Sequence, residues 1–170
     1  LLRKTKKKVI VKLYNFKILV SLSNSIEREI FLEEFYDKDR FIFLDKYFKN
    51  HNFNYFIDVG SYIGYYALYC YHYKKIPNVI AFEPNIYNFN KLKENILLNN
   101  SKINIFNFAC SDNESEGQIW YNNINKTGGS SILKPNDYEI KKYPSSDISK
   151  LSVKLKRLDS FFENLSNQLI

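Results

Sequence analysis

The amino-terminal part of the chain alternates hydrophobic and polar residues with a period of two. Val9, Val11 and Leu13 fall on one face of this segment, so the pattern predicts one or two strands within residues 8–22. A secretory signal would need a longer apolar segment followed by a cleavage site of small residues, and the alternation does not provide one. We therefore expect the chain to open with sheet structure.

The hydrophobic spacing then changes to that of a helix. Asn24 or Ser25 can cap a helix that starts at Ile26, and the acidic Glu27 favours its positive end. Hydrophobic residues continue at helical spacing as far as Phe48. The sequence thus predicts a helical segment before the first strongly apolar strand.

Three apolar segments alternate with two helical ones in the middle of the chain. Residues 53–59, 78–82 and 103–109 predict buried strands, and residues 63–74 and 86–99 predict the helices between them. Strand and helix in alternation predict an α/β fold with a mostly parallel sheet and right-handed crossovers. In such sheets a ligand lies at the carboxyl ends of the strands.

Composition narrows the class of protein further. The chain has 170 residues, 45% of them hydrophobic, which fits one folded domain. No apolar run of about 18 residues is present, so we expect no transmembrane helix. Two cysteines cannot build a disulfide framework, and the absence of a CxxC pair gives no sign of zinc or of another metal site. Two more strands are predicted around a polar loop, at residues 117–121 and 152–158.

The positive charge of the chain lies almost entirely at one end. Of 25 basic residues, seven fall within residues 3–17, which contain no acid, and the remaining 18 balance the 18 acidic residues. We divide the chain into residues 1–25, a basic arm with strands, and residues 26–170, the body. The arm is either a solvated terminus or a weak contact for an anionic lipid or a phosphorylated substrate.

A glycine turn directly follows the first apolar strand. Asp58 ends this strand, Gly60 would let the backbone turn sharply beside a ligand, and Ser61 keeps the turn small. Gly64 would let the following helix pack close to the strand. A turn at a helix start also offers free amide N–H groups to an anion. A plain tight turn would give the same pattern.

An acid follows the second apolar strand. Glu83 lies 23 residues after Gly60, and a carboxylate at this place can accept hydrogen bonds from both hydroxyls of a ribose. Alternatively, Glu83 only complements the dipole of the next helix. Asp112 follows the third strand, where it either accepts from the amine of an adenine or closes an Asx turn.

The turn differs from the fingerprint of nicotinamide dehydrogenases. That fingerprint is G-x-G-x-x-G, whereas this turn has an acid at position 58 and tyrosine at position 62. An acid at the strand end can hold a cationic or amino-acid portion of a ligand. S-adenosylmethionine, an adenosine with an amino-acid tail, therefore fits Asp58, Gly60 and Glu83 better than a dinucleotide does.

Several segments together resemble the FkbM family of class I S-adenosylmethionine-dependent methyltransferases. The resemblance covers about residues 26–163, and its segments are residues 56–68, 79–85, 92–100, 105–112, 128–131 and 153–159. It implies a class I, Rossmann-like methyltransferase fold. It also implies that Asp58, Gly60, Ser61 and Gly64 line the methionine end of the cofactor, that Glu83 holds the ribose and that Asp112 lies near the adenine.

Two features depart from the family pattern. Tyr62 stands where the family commonly has asparagine, and no K-x-D-x-E-G segment follows Asp159. The chain also contains no methionine. We therefore expect a fragment that holds the N-terminal portion of one methyltransferase domain and lacks the C-terminal part of its sheet.

The function predicted from the sequence is transfer of a methyl group from S-adenosylmethionine to a hydroxyl. The acceptor would be a sugar, lipid or other small metabolite, free or as part of a glycan or lipid-linked molecule, in the cytoplasm. No catalytic base can be assigned. The alternatives are a catalytically silent truncated fragment and a nucleic-acid methyltransferase recruited by the basic arm. The neutral body counts against the latter, and we expect no nucleic-acid partner.

Overall fold

The computed structural model describes residues 7–122, 130–133 and 148–168, with side chains as far as Glu163. Eight strands and five helices are found in these residues. The strands are β1 (Lys8–Leu13), β2 (Phe16–Ser21), β3 (Tyr55–Val59), β4 (Asn78–Phe82), β5 (Asn104–Phe106), β6 (Ala109–Cys110), β7 (Ser115–Asn122) and β8 (Ile148–Lys156). The helices are α1 (Ser25–Glu33), α2 (Lys38–Lys49), α3 (Tyr65–His72), α4 (Ile86–Leu98) and α5 (Leu158–Gln168).

Strands β1 and β2 form an antiparallel hairpin, which confirms the predicted strands near the amino terminus. Its inner face joins the main hydrophobic core, where Ile18 is completely buried. The edge of β2 away from β1 pairs with a side chain of α4 and with the C-cap residue of that helix, Asn99. Asn95 Oδ1 accepts from the Leu19 amide at 2.7 Å, and Asn99 Oδ1 accepts from the Lys17 amide at 2.7 Å. These amide side chains satisfy backbone groups that would otherwise need a strand partner.

Helix α1 begins where the capping pattern predicted. Asn24 is its N-cap and accepts a hydrogen bond from the Glu27 amide, which satisfies one of the unpaired donors at the helix start. The second helix, α2, carries Phe41 into the core beside Tyr69 of α3. The helical lead-in is thereby confirmed.

The predicted parallel arrangement is present in the middle of the chain. Strands β3, β4 and β5 form a three-stranded parallel sheet in the order β3-β4-β5, with Ile57 opposite Ile80 and Ile80 opposite Asn104. Helix α3 connects β3 to β4, and α4 connects β4 to β5. The molecule is thus a mixed α/β protein, and the carboxyl ends of these strands lie at one edge of the sheet.

Two predictions about these strands were wrong. Residues 53–59 were expected to form a buried strand, but β3 begins at Tyr55 and exposes Tyr55, Ile57 and Val59 by 59%, 42% and 54%. These side chains are exposed because β3 is an edge strand: among the described residues it pairs with β4 alone. The strand predicted at residues 103–109 is interrupted at Asn107, whose side chain donates to the Glu83 and Pro84 carbonyls at 2.8 and 3.0 Å.

A second sheet follows, in the order β6-β8-β7. Strands β7 and β8 are antiparallel and confirm the strands predicted at residues 117–121 and 152–158, although both begin earlier than predicted and β8 ends at Lys156. Helix α5 was not predicted. It packs Phe161 against Phe82 of β4 and Phe108, so it covers part of the sheet face opposite α3 and α4.

The main core lies on one face of the parallel sheet, between that sheet, the hairpin and helices α1 to α4. Ile63, Leu68, Tyr69 and Leu92 are among its completely buried side chains. None of the helices in the described ranges has the length and apolar character needed to cross a bilayer.

Candidate functional site

The glycine turn lies at the carboxyl end of β3, as predicted. Gly60 has a φ of +79°, a left-handed conformation that favours glycine, and a Cβ added to it would meet no atom within 4 Å. Gly64 has a φ of +88°, but a Cβ there would lie 2.6 Å from Leu92 Cδ1. The two glycines thus serve different purposes. Gly60 leaves open space, whereas Gly64 lets the chain pack against α4 rather than against the strand.

Three amide groups of this turn are not free to bind an anion. The Gly60 and Ser61 amides both donate to the Phe82 carbonyl, at 2.8 and 3.0 Å, and the Gly64 amide donates to the Ser61 carbonyl at 2.8 Å. The buried Ser61 hydroxyl donates to the Asp58 carbonyl at 2.8 Å. The turn is therefore tied to the end of β4 by its own backbone, and these hydrogen bonds fix its shape.

Tyr62 lies at the centre of the turn and is held at both ends. Its φ is +52°, which is uncommon for a residue with a side chain. Its amide donates to Glu83 Oε2 at 2.8 Å, and its hydroxyl donates to Glu27 Oε1 at 2.5 Å. Burial first, and then the Glu27 carboxylate, raise the pKa of Tyr62, so the hydroxyl keeps its proton and remains a donor.

Glu83 lies at the end of β4 and is only 4% exposed. Its Oε1 accepts from the Asn85 amide at 2.9 Å and, at 3.5 Å, from the Asn88 side chain, while Oε2 accepts from the Tyr62 amide. Burial raises the pKa of Glu83, and these hydrogen bonds oppose the shift. The carboxylate therefore braces the glycine turn and the start of α4, and Oε2 keeps room for one more donor.

Asp58 lies beneath the first turn of α3. Gly64, the N-cap of this helix, offers no side-chain cap, and the Asp58 carboxyl instead accepts from the Ala67 amide. Its Oδ2 is buried without a hydrogen-bond partner. Burial, with a smaller contribution from the charge of Glu83, raises the pKa of Asp58 to about 6.

Asp112 lies in the exposed turn between β6 and β7. Its Oδ1 accepts from the Ser111 hydroxyl and from the Asn113 side chain, both at 3.2 Å. The structure thus brings together Asp58, the glycine turn and Glu83, and it leaves Asp112 outside this group.

A cavity of about 320 Å³ opens at the carboxyl ends of the strands. This volume lies at the lower end of the range for ligand cavities, roughly 300–1,000 Å³. Of the residues that the sequence predicted for the site, Gly60 alone contributes to its wall. The other described lining residues are Val59, Phe82, Pro84, Phe108, Ala109, Cys110, Ile119, Ser130, Ser131, Ile132 and Leu133.

The cavity wall includes residues that the sequence could not assign to a site. Phe82 and Phe108 give it flat aromatic surface, and Cys110 adds a thiol whose pKa is raised by burial. Residues 130–133 are held there by an antiparallel backbone bridge between Ser131 and Trp120, and the Asn85 side chain donates to Ser130 Oγ at 3.1 Å. In the sequence, Ser130 follows two glycines that lie outside the described residues. This Gly-Gly-Ser-Ser grouping is the feature that could have pointed to a site at residues 130–133.

Neither histidine lies at this cavity. His51 is exposed, stacks on Tyr47 and bonds to its carbonyl through Nδ1 at 3.0 Å. His72 Nε2 pairs with Ser101 Oγ at 2.6 Å, beside the hairpin. Within residues 7–122, 130–133 and 148–168, no cluster of histidine, cysteine or acidic side chains could hold a metal ion.

Comparison with known protein families gives a match that covers most of the parallel sheet and the candidate site. The sequence model described as "Methyltransferase FkbM domain" matches residues 58–169, which includes the glycine turn, Glu83 and the described part of the cavity wall. No curated protein and no solved structure matches the chain.

Proposed function

The chain belongs to the FkbM methyltransferase family, and from this premise we propose that it transfers the methyl group of S-adenosylmethionine to a hydroxyl group. The acceptor would be a sugar, lipid or other small metabolite. We propose further that the parallel sheet β3-β4-β5 is part of a class I, Rossmann-like methyltransferase fold. The order β3-β4-β5 and the helical connections support this assignment.

The observation that carries the proposal is the position of Gly60. It combines a left-handed backbone, open space in front of its Cα and a place in the wall of the cavity. Neighbouring parallel strands end beside it, which is where α/β sheets bind nucleotide-like ligands. A ligand can approach the backbone here more closely than at any position that carries a Cβ.

We assign the cavity to the nucleoside part of the cofactor. Phe82 and Phe108 offer aromatic surface for a base, and Ser130 and Ser131 offer hydroxyls for polar groups. Glu83 does not line this cavity, but its two chain neighbours Phe82 and Pro84 do, and its Oε2 has one acceptor position left for a ribose hydroxyl at the rim. This arrangement supports one hydrogen bond donated by a ribose hydroxyl to Glu83 rather than two.

We assign the methionine end to residues 58–64. The unpaired Oδ2 of Asp58 places a buried negative charge beneath the turn, and this charge favours a cationic amino group nearby. When bound, the cofactor supplies an electrophilic methyl group on a sulfonium centre. The residues of the chain would bind it, exclude water and align the hydroxyl oxygen with the methyl carbon, so catalysis in this proposal rests on positioning.

The acceptor we propose is a small molecule, a glycan or a lipid-linked molecule. The charge distribution supports this choice over nucleic acid, because the chain is neutral beyond residue 17. A nucleic-acid enzyme would spread basic residues over its binding face. We propose a weak contact with an anionic surface through residues 3–17 and a location in the cytoplasm.

Calorimetric titration with S-adenosylhomocysteine, the demethylated product, tests the cofactor site. Gly60→Ala should weaken binding at least about tenfold, a loss of roughly 1.4 kcal/mol, because the new methyl group would occupy the open space. Gly117→Ala is the matched control. A Cβ at Gly117 would meet Leu155 in the second sheet, and neither residue lines the cavity, so this variant tests whether a change of packing alone weakens binding.

Two results would contradict the proposal. If the unmodified chain bound neither S-adenosylhomocysteine nor S-adenosylmethionine, the chain would not use this cofactor. If Gly60→Ala bound as tightly as the unmodified chain, the cofactor would lie elsewhere. Transfer of labelled methyl groups to a panel of sugars, glycolipids and nucleic acids then tests the acceptor class.

A further inference from the structure

A buried carboxylate outside the matched domain reaches the glycine turn. Glu27, in α1, is 0% exposed and precedes the first matched residue, Asp58. Its Oε1 accepts from the Tyr62 hydroxyl and from Lys91 Nζ, both at 2.5 Å, and its Oε2 accepts from the Ser21 amide at 2.6 Å. One side chain thereby joins the hairpin, helix α4 and the turn at the end of β3.

The Glu27 contact fixes the relative positions of its partners more than it adds to the stability of the fold. A buried ion pair such as Glu27–Lys91 adds little net stability compared with hydrophobic packing, because both charges lose their hydration. It does fix geometry, since the carboxylate is favourable only while its donors stay in place. The pair between Lys8 and Glu94 also joins the hairpin to α4, but both of its side chains are about half exposed and are screened by water.

Tyr62, whose hydroxyl donates to Glu27, has a strained backbone conformation. Tyr62 has a left-handed backbone, which costs roughly 1–2 kcal/mol for a residue with a Cβ and persists only where surrounding contacts enforce it. Glu83 fixes the Tyr62 amide, Glu27 fixes its hydroxyl, and Asn95 donates to the next carbonyl, that of Ile63, at 2.9 Å. The Glu27 contact is the one made through the Tyr62 side chain.

We propose that Glu27 is a positioning residue for the cofactor turn, and that it acts through the Tyr62 hydroxyl. It would hold Tyr62 in its left-handed conformation and so keep Gly60 facing the cavity. The inference rests on the proposed function, because it takes residues 58–64 as the methionine end of the cofactor site. It assigns a role to a residue that lies outside the matched methyltransferase domain, in the segment that the sequence predicted only as a helical lead-in.

A double-mutant cycle with two readouts tests this role. Glu27→Gln, Tyr62→Phe and the double variant are compared with the unmodified chain, and Glu94→Gln is the control at the same hairpin–α4 contact. The first readout is hydrogen exchange of the amides of residues 60–64 in the free protein. The second is the dissociation constant for S-adenosylhomocysteine.

We expect each single variant to speed exchange in residues 60–64 and to weaken binding about three- to tenfold, the range for the net loss of one ordinary hydrogen bond. The double variant should bind no more weakly than Glu27→Gln alone, because removal of the Tyr62 hydroxyl costs nothing further once its carboxylate partner is gone. Glu94→Gln should change neither readout. If Glu27→Gln does not fold, Tyr62→Phe keeps the ring and still tests the contact.

Three outcomes would overturn the proposal: unchanged exchange in Tyr62→Phe, unchanged affinity in both single variants, or additive losses in the double variant. Failure of the proposed function gives a different result. In that case the unmodified chain itself would not bind S-adenosylhomocysteine, while the exchange readout would still decide whether Glu27 positions the turn.

Discussion

The two faces of the parallel sheet β3-β4-β5 are both apolar in sequence but are covered to different extents. One face meets the hairpin and helices α1 to α4, and Val79 and Ala81 of β4 are buried there. On the other face α5 packs over Ile80 and Phe82 of β4, while Ile57 and Val59 of β3 stay exposed. The site lies at the carboxyl ends of the strands and is bordered by residues from both faces of the sheet.

We call the face covered by the hairpin and helices α1 to α4 the closed face, and the face partly covered by α5 the open face. The closed face holds the backbone of the site in place, and the open face leaves room for a ligand. Glu27 and Asn95 hold the glycine turn from the closed face through hydrogen bonds to the Tyr62 hydroxyl and the Ile63 carbonyl. The cavity lies on the other side of the turn, beside Val59 and Phe82, where packing is incomplete. A binding site needs a fixed backbone next to unfilled volume, and the unequal cover of the sheet provides both.

The largest expected effect is on the closed face, in the hairpin. Ile18→Ala should lower the free energy of unfolding by about 2–5 kcal/mol, because Ile18 is completely buried against the main core. Ile10→Ala, on the outer side of the same hairpin, should change it by no more than about 0.5 kcal/mol. Urea denaturation measures both. Equal, small effects would mean that the hairpin is not part of the core.

Gly64→Ala should cost somewhat less, about 2–4 kcal/mol. The variant combines a left-handed backbone with a contact of 2.6 Å to Leu92 Cδ1. Gly60→Ala has the same kind of backbone but open space, so its cost in stability should be about 1–2 kcal/mol. Thermal unfolding of the two variants measures both losses. Their difference gives the cost of the clash with Leu92 on the closed face, since the backbone strain is common to both. A larger loss in Gly60→Ala would contradict this assignment.

The buried carboxyl of Asp58 predicts a pH effect of about 3 kcal/mol. Its pKa is about 6 in the folded protein and 3.8 ordinarily, so folding favours the protonated form. Stability from this group is fully present below pH 3.8 and is lost as the pH rises through 6. The unmodified chain should therefore lose about 3 kcal/mol relative to Asp58→Asn between pH 3 and pH 8. A constant difference in urea denaturation would show that the carboxyl is not buried as described.

The smallest effect is expected on the open face. Ile57 and Ile80 are opposite each other in neighbouring strands, yet Ile57 is 42% exposed and Ile80 is 5% exposed. Ile57→Ala should cost less than about 1 kcal/mol, whereas Ile80→Ala should cost about 2–4 kcal/mol. Similar losses in the two variants would mean that something covers β3 in solution.

The strands of the closed core could be predicted well from sequence. Strand β4 has the predicted bounds because it is a short apolar run between Pro77 and Pro84. Local pattern alone could not show that β3 is at the edge of its sheet, because its sequence is as apolar as that of a central strand. Helix α5 was missed because its first residue, Leu158, was assigned to the preceding strand, although Leu158, Phe161, Phe162 and Leu165 recur at helical spacing in the sequence.

The site was predictable in its location and not in its contacts. Parallel strands put the turn after β3 and the acid after β4 side by side, and spacing in the sequence reveals this. The partners of those residues depend on tertiary structure. Tyr62 meets Glu27 from 35 positions earlier, and Glu83 uses most of its acceptor positions within the protein. No local rule gives contacts of this kind.

Hydrogen exchange with and without S-adenosylhomocysteine tests the central claim most directly, because it maps binding along the whole chain. We predict protection at residues 59–64, 82–84, 108–110 and 130–133, around the cavity and the glycine turn. The cleft beside His72, which is lined by Lys12, Lys17 and Asn99, should show none. Protection confined to that cleft, or no protection at any of these segments, would contradict a cofactor site at the ends of the parallel strands.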